Sequence, residues 1–372
     1  MNDIIIFSSY GDLHGAAVDW ALKEMGASPK LWYGEEFPTR QTASLRIGRQ
    51  GLQKLSLRED EHELMALHRA KTVWNRRPAN PVMSSQLHAA DKPAAMDECL
   101  RFVGAIKAQL QESAFWVNPA QPALRANHKP LQLALAAECG LTIPDSLFSN
   151  DPDEIATFFH QHGGNIIYKT FIQPHWQNDE QEQTFTFFTS KFPESALQRT
   201  FSLRNVPGIY QPTIEKAYEV RLTMMGNQFF PVKIDSQSNP KSTLDWRQDL
   251  TLKCKHEPCE VPSEVLNACR QLMAKLGLVF GCIDLIVTPE GEHVFLEVNQ
   301  MGQFLWLEDI VPEFAMLETF CRFLISADAG FEMKTQPVPA LSFAAFRQSD
   351  AFATYKLESE TTRPWPNLAT RE

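Results

Sequence analysis

Between Phe280 and Gln303 the chain reads FGCIDLIVTPEGEHVFLEVNQMGQ. Two apolar runs, GCIDLIV and HVFLEVN, flank Thr288-Pro289-Glu290-Gly291. Proline and glycine a short way apart, between β-branched and aromatic residues, predict a β-hairpin. Each run is interrupted by one acid, Asp284 in the first and Glu297 in the second. Side chains alternate across a strand, so Glu297 and Asn299 share a face. Folding the hairpin back brings Asp284 alongside them. Three oxygen ligands in such a pocket suit Mg²⁺, which takes one or two carboxylates plus substrate phosphates. The alternative is a surface hairpin with its polar residues on the wet face, and the long apolar runs argue against it.

A length of 372 residues suits two or three domains. The net charge of −10 argues against a general nucleic-acid role. The start, MNDIIIFSSYGD, has an acid at position three and only a short apolar run, so no secretory signal is expected. No run approaches the length of a membrane span. Seven scattered cysteines read as reduced thiols of a cytoplasmic protein. Cys254-Lys-His256-Glu-Pro-Cys259 has the ligand types of half a zinc site, but no second ligand pair accompanies it.

Along the chain, DIIIFS (3–8) reads as a buried strand, GDLHGAAVDWALKEMGA as a helix and LWYGEEF as a second strand region. This order predicts a small α/β domain with a parallel sheet. Asp12, at the strand-to-helix turn, is placed as a helix cap. LRIGRQGLQKLSL suits a pair of short strands, and the polar segment 60–71 is expected to be a surface helix. Residues 94–113 read as a helix, as does LQLALAAECG, which stops at Gly140. DPDEIATFFHQHGG reads as an N-capped helix, NIIYKTF as a strand carrying Lys169, and TFTFFT as a strand after a polar, glutamine-rich loop. Glu219 and Arg221 alternate with Val220 and Leu222, so both face one side of a strand. PSEVLNACRQLMAKLGL is an amphipathic helix expected to pack beneath the hairpin. PEFAMLETFCRFLISA is expected to be another, capped by Gly330.

The wording IDLIVTPEGEHVFLEVNQMGQFLWLE resembles the metal-binding hairpin of ATP-grasp ligases, an acid on one strand and Glu-x-Asn on the next. It is closer still to the ligases of microviridin-type, or graspetide, peptides. That resemblance runs from about residue 1 to 328 and also rests on KTVWNRRPANP, on AFWVNPAQPALRANHKPLQLALAAECGLTIPDSLFSND and on Asp245-Trp246-Arg247. It implies an α/β, more narrowly α+β ATP-grasp, fold. A pre-ATP-grasp domain would span 1–115, a central lobe 116–205, a C-terminal lobe with the metal site 206–330, and a tail 331–372. Lys129 and Lys169 match the two lysines that hold the α- and β-phosphates of ATP. IYQPTI would supply the interlobe strand that meets adenine, with Gln211 and Ile214 as its best positions and Glu219 close by. Arg221 sits where the family places an arginine near the γ-phosphate, and Arg247 would be a second cationic group at the reacting centre. Asp284, Glu297 and Asn299 would hold Mg²⁺. Arg76 and Arg77 would meet an acidic peptide or brace the domain junction, and a structural ion pair is an equal alternative.

The family's loop over the phosphates is often rich in glycine. Here no glycine lies between Gly164 and Gly208, so a cradle of backbone amides is not expected there. The implied reaction turns a carboxylate into an acyl phosphate with release of ADP. In graspetide ligases the carboxylate is an Asp or Glu side chain of a ribosomally made precursor peptide, and a Ser or Thr hydroxyl or a Lys amine then closes an ester or amide link. The expected partner is that precursor, with a helical leader seated in a groove beside the central lobe. No nucleic-acid or membrane partner is expected, and the expected assembly is a homodimer. Two other readings stay open: a carboxylate–amine ligase of small molecules or protein tails, and an idle nucleotide-binding regulator. Residues 337–372 lie outside the resemblance. Their apolar part followed by mixed hydroxyls and carboxylates is also how a graspetide precursor is laid out. The simpler expectation is that Phe343 and Phe346 pack on the body and the remainder frays.

Overall fold

A computed structural model describes residues 3–59, 62–172, 175–178, 183–248, 254–334 and 338–361. β1 (Asp3–Ser8), α1 (Leu13–Glu24) and β2 (Ser28–Tyr33) form the expected opening unit, with β1 and β2 parallel. β3 (Gln41–Gly48), β4 (Gly51–Glu59) and β5 (His62–Ala66) make a three-stranded antiparallel sheet. The segment expected as a surface helix is instead strand over 62–66, where β5 pairs along β4, followed by a single helical turn at Leu67–Arg69. Cross-strand pairing outweighs the local helix preference of its Glu-, Leu- and Ala-rich sequence. β6 (Thr72–Asn75), α2 (Lys92–Gln111) and β7 (Phe115–Val117) complete a parallel sheet in the order β2-β1-β6-β7.

α3 (Ala120–Ala126) and α4 (Lys129–Glu138) lead to the next sheet. It is formed by β8 (Leu147–Ser149), β9 (Ile166–Lys169), β12 (Ser190–Lys191) and β13 (Gly208–Pro212), in the order β12-β9-β13-β8. α5 (Pro152–Gln161) is capped as expected, the Asp151 carboxylate accepting from the Asp153 amide. α6 (Thr200–Asn205) precedes β13. The glutamine-rich stretch contributes a hairpin of β10 (His175–Asn178) and β11 (Gln183–Thr186), so the polar loop is itself partly strand.

β14 (Tyr218–Met225), β15 (Gln228–Ile234), β16 (His256–Pro258), β17 (Phe280–Val287) and β18 (His293–Asn299) form an antiparallel sheet in the order β16-β15-β14-β17-β18. α7 (Ser263–Leu276) packs Cys269, Leu272 and Met273 in one core with Ile283, Leu285 and Phe295. The β17–β18 turn is closed by Thr288 and Gly291, where φ is 89°. That left-handed value is what glycine adopts without cost.

α8 (Trp306–Ile310) and α9 (Met316–Ser326) follow. α9 does not extend to a Gly330 cap; it ends at Ala327, which itself takes the left-handed conformation. α10 (Phe343–Phe346) and α11 (Asp350–Thr361) fold the tail back over α1. Phe343 and Phe346 are buried as expected, but the chain beyond them continues as a helix through Thr361. Residues 362–372 lie outside the described ones.

Two buried side chains tie the first domain to the segment after β18. Arg76, wholly buried, bonds Asp12 and the carbonyls of Met301 and Gly302. His14 Nε2 accepts the Phe304 and Leu305 amides at 3.0 and 3.2 Å. Burial, then the charges of Arg76 and Arg77, push the His14 pKa well down, which keeps that nitrogen an acceptor. Asp12 occupies the N-cap position of α1 without a capping bond, its carboxylate being taken by Ser8 and Arg76. Arg76 therefore braces the junction and forms a structural ion pair with Asp12, whereas Arg77 is exposed. Asn118 adds a further tie, bonding backbone groups of Val279, Phe280 and Gln300.

Candidate active site

The candidate site is built on strand register. Arg221 of β14 pairs with Asp284 of β17, and Asp284 pairs with Glu297 of β18. Three charged residues therefore stand in one row across three strands. A register shift follows directly after Asp284, which locally re-aims the strand. Arg221 Nη1 donates to both Asp284 oxygens at 2.7 and 2.9 Å. Asn299 Nδ2 donates to Asp284 Oδ2 at 3.0 Å and to Glu297 Oε1 at 3.4 Å.

Lys129, the first residue of α4, reaches Glu297 Oε2 at 2.5 Å. Arg247 forks onto Asp245 with two bonds of 2.8 Å and stands 3.9 Å from Glu297 Oε1. Above this floor lies a cleft of about 400 Å³. Lys129, Lys169, Gln211, Ile214, Glu219, Arg247, Asp284 and Glu297 all line it. Arg221 and Asn299 are brought to the same cluster through their bonds to Asp284. Ile167, Ile209, Ile286 and Leu296 give the cleft an apolar section. Gln211 donates to Ser146 Oγ at 2.8 Å and leaves a buried Oε1 unpartnered among the described residues. Such an atom can accept from an amine-bearing planar base.

Electrostatics divides the two acids. Burial raises the Asp284 pKa, and Arg221 only partly offsets that. Burial also opposes charge on Glu297, but Lys129 and Arg247 outweigh it and hold its carboxyl down at about 2. Burial lowers Lys169 to about 8, partly countered by Glu297. The cluster thus joins three carboxylates (Asp245, Asp284 and Glu297), the Asn299 carboxamide and four cationic side chains.

No trio of His, Cys, Asp or Glu poised for a metal occurs among the described residues, which also leaves Cys254 and Cys259 outside any such group. None of the seven cysteines forms a disulfide. The donor set of Asp284, Glu297 and Asn299 nevertheless fits Mg²⁺, for which two carboxylates and an amide oxygen beside substrate phosphates suffice. Turning the Asn299 amide over presents Oδ1 in place of Nδ2.

Two supporting residues lie outside those that the sequence singles out. Gln132, inside the apolar run of α4, accepts the Val298 amide at 2.8 Å and donates to the Val298 carbonyl at 3.0 Å, pinning β18 beside Glu297. Lys216 bonds Glu219 at 2.6 Å and the Leu244 carbonyl at 3.2 Å, closing one side of the cleft. Its spacing of three from Glu219 was visible, but the two residues lie at a strand entry rather than on a helix.

No protein-family model and no curated protein sequence matches the chain. Solved structures do. Macrocyclase MdnC from Microcystis aeruginosa MRC, bound with precursor peptide MdnA, is 28% identical and superposes with a TM-score of 0.75, covering 88% of this chain and 100% of its own. A RiPP-associated ATP-grasp ligase from Chryseobacterium gregarium, in complex with ADP and a leader and core peptide, is 26% identical with a TM-score of 0.81, covering 88% of this chain and 98% of its own. Macrocyclase MdnB from Microcystis aeruginosa MRC is 26% identical with a TM-score of 0.71, covering 87% of this chain and 99% of its own. In sequence and fold together, the chain is similar to ATP-grasp ligases of the graspetide type.

Proposed function

We propose that the protein is an ATP- and Mg²⁺-dependent ligase that activates Asp or Glu side chains of a ribosomally made precursor peptide and closes ester or amide links within it. The observation that carries this is the row Arg221–Asp284–Glu297–Lys129 on the floor of the cleft. Gln211 and Ile214 would meet the base, with Glu219 beside them. Lys129 and Lys169 would neutralise the inner phosphates, and Arg221 and Arg247 the transferring one. Asp284, Glu297 and Asn299 would hold Mg²⁺, which supplies Lewis-acid neutralisation of phosphate charge when bound.

In the reaction, a substrate carboxylate oxygen attacks the γ-phosphorus, the bond to the bridging oxygen breaks, and ADP leaves. A hydroxyl or amine then attacks the acyl carbon of the mixed anhydride, phosphate leaves, and the nucleophile loses its proton. Each link therefore removes the elements of one water from the peptide. Positioning and charge neutralisation do most of the work in such phosphoryl transfers, and this is what the four cations can provide.

A peptide partner is supported by the likeness to ligases solved with precursor peptides, and an amphipathic leader helix would seat in a groove beside the central lobe. The net charge of −10 argues against nucleic acid, and no helix among the described residues is long and apolar enough to cross a membrane. Seven cysteines without a disulfide agree with a reducing, cytoplasmic setting. A homodimer is part of the proposal, read by light scattering. The test of the substrate class is ADP release with an acidic precursor peptide, with and without its leader. Leader removal is expected to raise KM sharply; indifference to the leader would favour a small-molecule or protein-tail substrate.

A further inference from the structure

The parallel sheet of the first domain carries a second candidate site, separate from the nucleotide cleft. The chain leaves β1 for β2 on one side and returns to β6 on the other. Such a divergence opens a crevice at the carboxyl ends of the strands, the place where open α/β sheets bind ligands. On the α1 side it is already filled by Arg76, Asp12 and the Met301 and Gly302 carbonyls. On the α2 side it stays open as a cavity of about 170 Å³ between Phe7, Trp32, Phe37, the loop 78–81 and α2. The loop belongs to the WNRRPANP stretch, which the ATP reaction leaves without a role.

Two features distinguish this cavity from a packing defect. Gly104 lines it from the interior of α2, where glycine costs helix stability. A Cβ there would meet nothing within 4 Å, so the missing side chain enlarges the space. The other feature is Lys107, one turn further along the same face. Its Nζ lies 4.6 Å from the Phe7 ring centroid and donates to Asn75 Oδ1 at 3.3 Å. Among the described residues no carboxylate pairs with it. Burial lowers its pKa to about 8, which still leaves it mostly charged at neutral pH. A cation held by a ring face and one amide oxygen, at the end of an aromatic cavity, lacks its anion.

We propose that this cavity binds a small carboxylic acid with a compact apolar body, its carboxylate paired with Lys107 and its body against Phe7 and Trp32. The test uses the full chain with saturating ADP, so that the nucleotide cleft is occupied, and benzoate as the probe followed by calorimetry and saturation-transfer NMR. Benzoate is expected to bind with ADP present, and benzyl alcohol about tenfold more weakly or worse. Lys107→Met is expected to weaken benzoate by about tenfold or more. Gly104→Leu fills the cavity while improving helix propensity, so it should abolish binding with an unchanged or higher Tm. Absence of benzoate binding, equal binding of the alcohol, or binding unchanged in the two variants would overturn the proposal.

Discussion

Lys129 Nζ lies 2.5 Å from Glu297 Oε2, so an α4 cation and a β18 acid are paired across the cleft. The pairing holds Glu297 ionised well below the ordinary carboxylate range, against the effect of its burial. A depressed carboxyl contributes stability that is complete above its unfolded pKa, about 4.3, and is lost as pH falls toward its folded value. Urea unfolding of wild type and Glu297→Gln between pH 6 and about 2 reads this directly. Wild type is expected to lose the excess below about pH 4.3, and Glu297→Gln to lack that component. Identical pH curves would remove the pairing from the account.

Arg221 is bound to both oxygens of Asp284, and in the proposed reaction its charge would matter most during phosphoryl transfer. Arg221→Ala should lower kcat by about 10²–10³ while changing ADP affinity much less. A variant with wild-type turnover would exclude Arg221 from the reaction.

Lys169 carries a depressed pKa of about 8, with burial the largest cause. Its ammonium form is the one that can hold phosphate. ADP affinity is therefore expected to fall as pH rises through about 8, and Lys169→Met should bind weakly with that dependence gone. Calorimetric titration from pH 6.5 to 9.5, spanning the value at about 8, measures it. A wild-type affinity flat across the range would contradict the placement.

The tail is part of the folded body through Phe346, which is fully buried, and through Glu308, which accepts the Phe343 amide at 2.7 Å and the Leu317 amide at 2.8 Å. Phe346→Ala should cost about 3–5 kcal/mol by cavity formation. A thermal melt within a degree or so of wild type would show the tail to be independent of the core.

The hairpin was legible because its signals are local: a Pro-Gly turn, two apolar runs and alternation that sets which side chains share a face. The opening β1-α1-β2 unit was legible for the same reason. Asp12 stands at the cap position of α1, but its carboxylate makes no capping bond because Ser8 and Arg76, the latter 64 residues away, take it. β5 was misread because a Glu- and Leu-rich segment prefers helix until β4 offers it a ladder. Gln132 could not be found, since a glutamine in an apolar helix gives no hint that it will bind Val298 from both sides. The resemblance brought Lys129 and Lys169 forward, and the structure sets both in the wall of one cleft with Glu297. Neither lysine stands out from its local sequence alone.

The central claim is that the cleft couples ATP cleavage to bond formation within a carboxylate-bearing peptide. Intact-mass spectrometry of an acidic precursor peptide, incubated with the protein, ATP and Mg²⁺ while ADP is measured in the same sample, tests it most directly. Loss of one water from the peptide is expected for each ADP formed, and neither product with Glu297→Gln. ADP formed without a change in peptide mass, or a peptide that gains phosphate and keeps it, would contradict it.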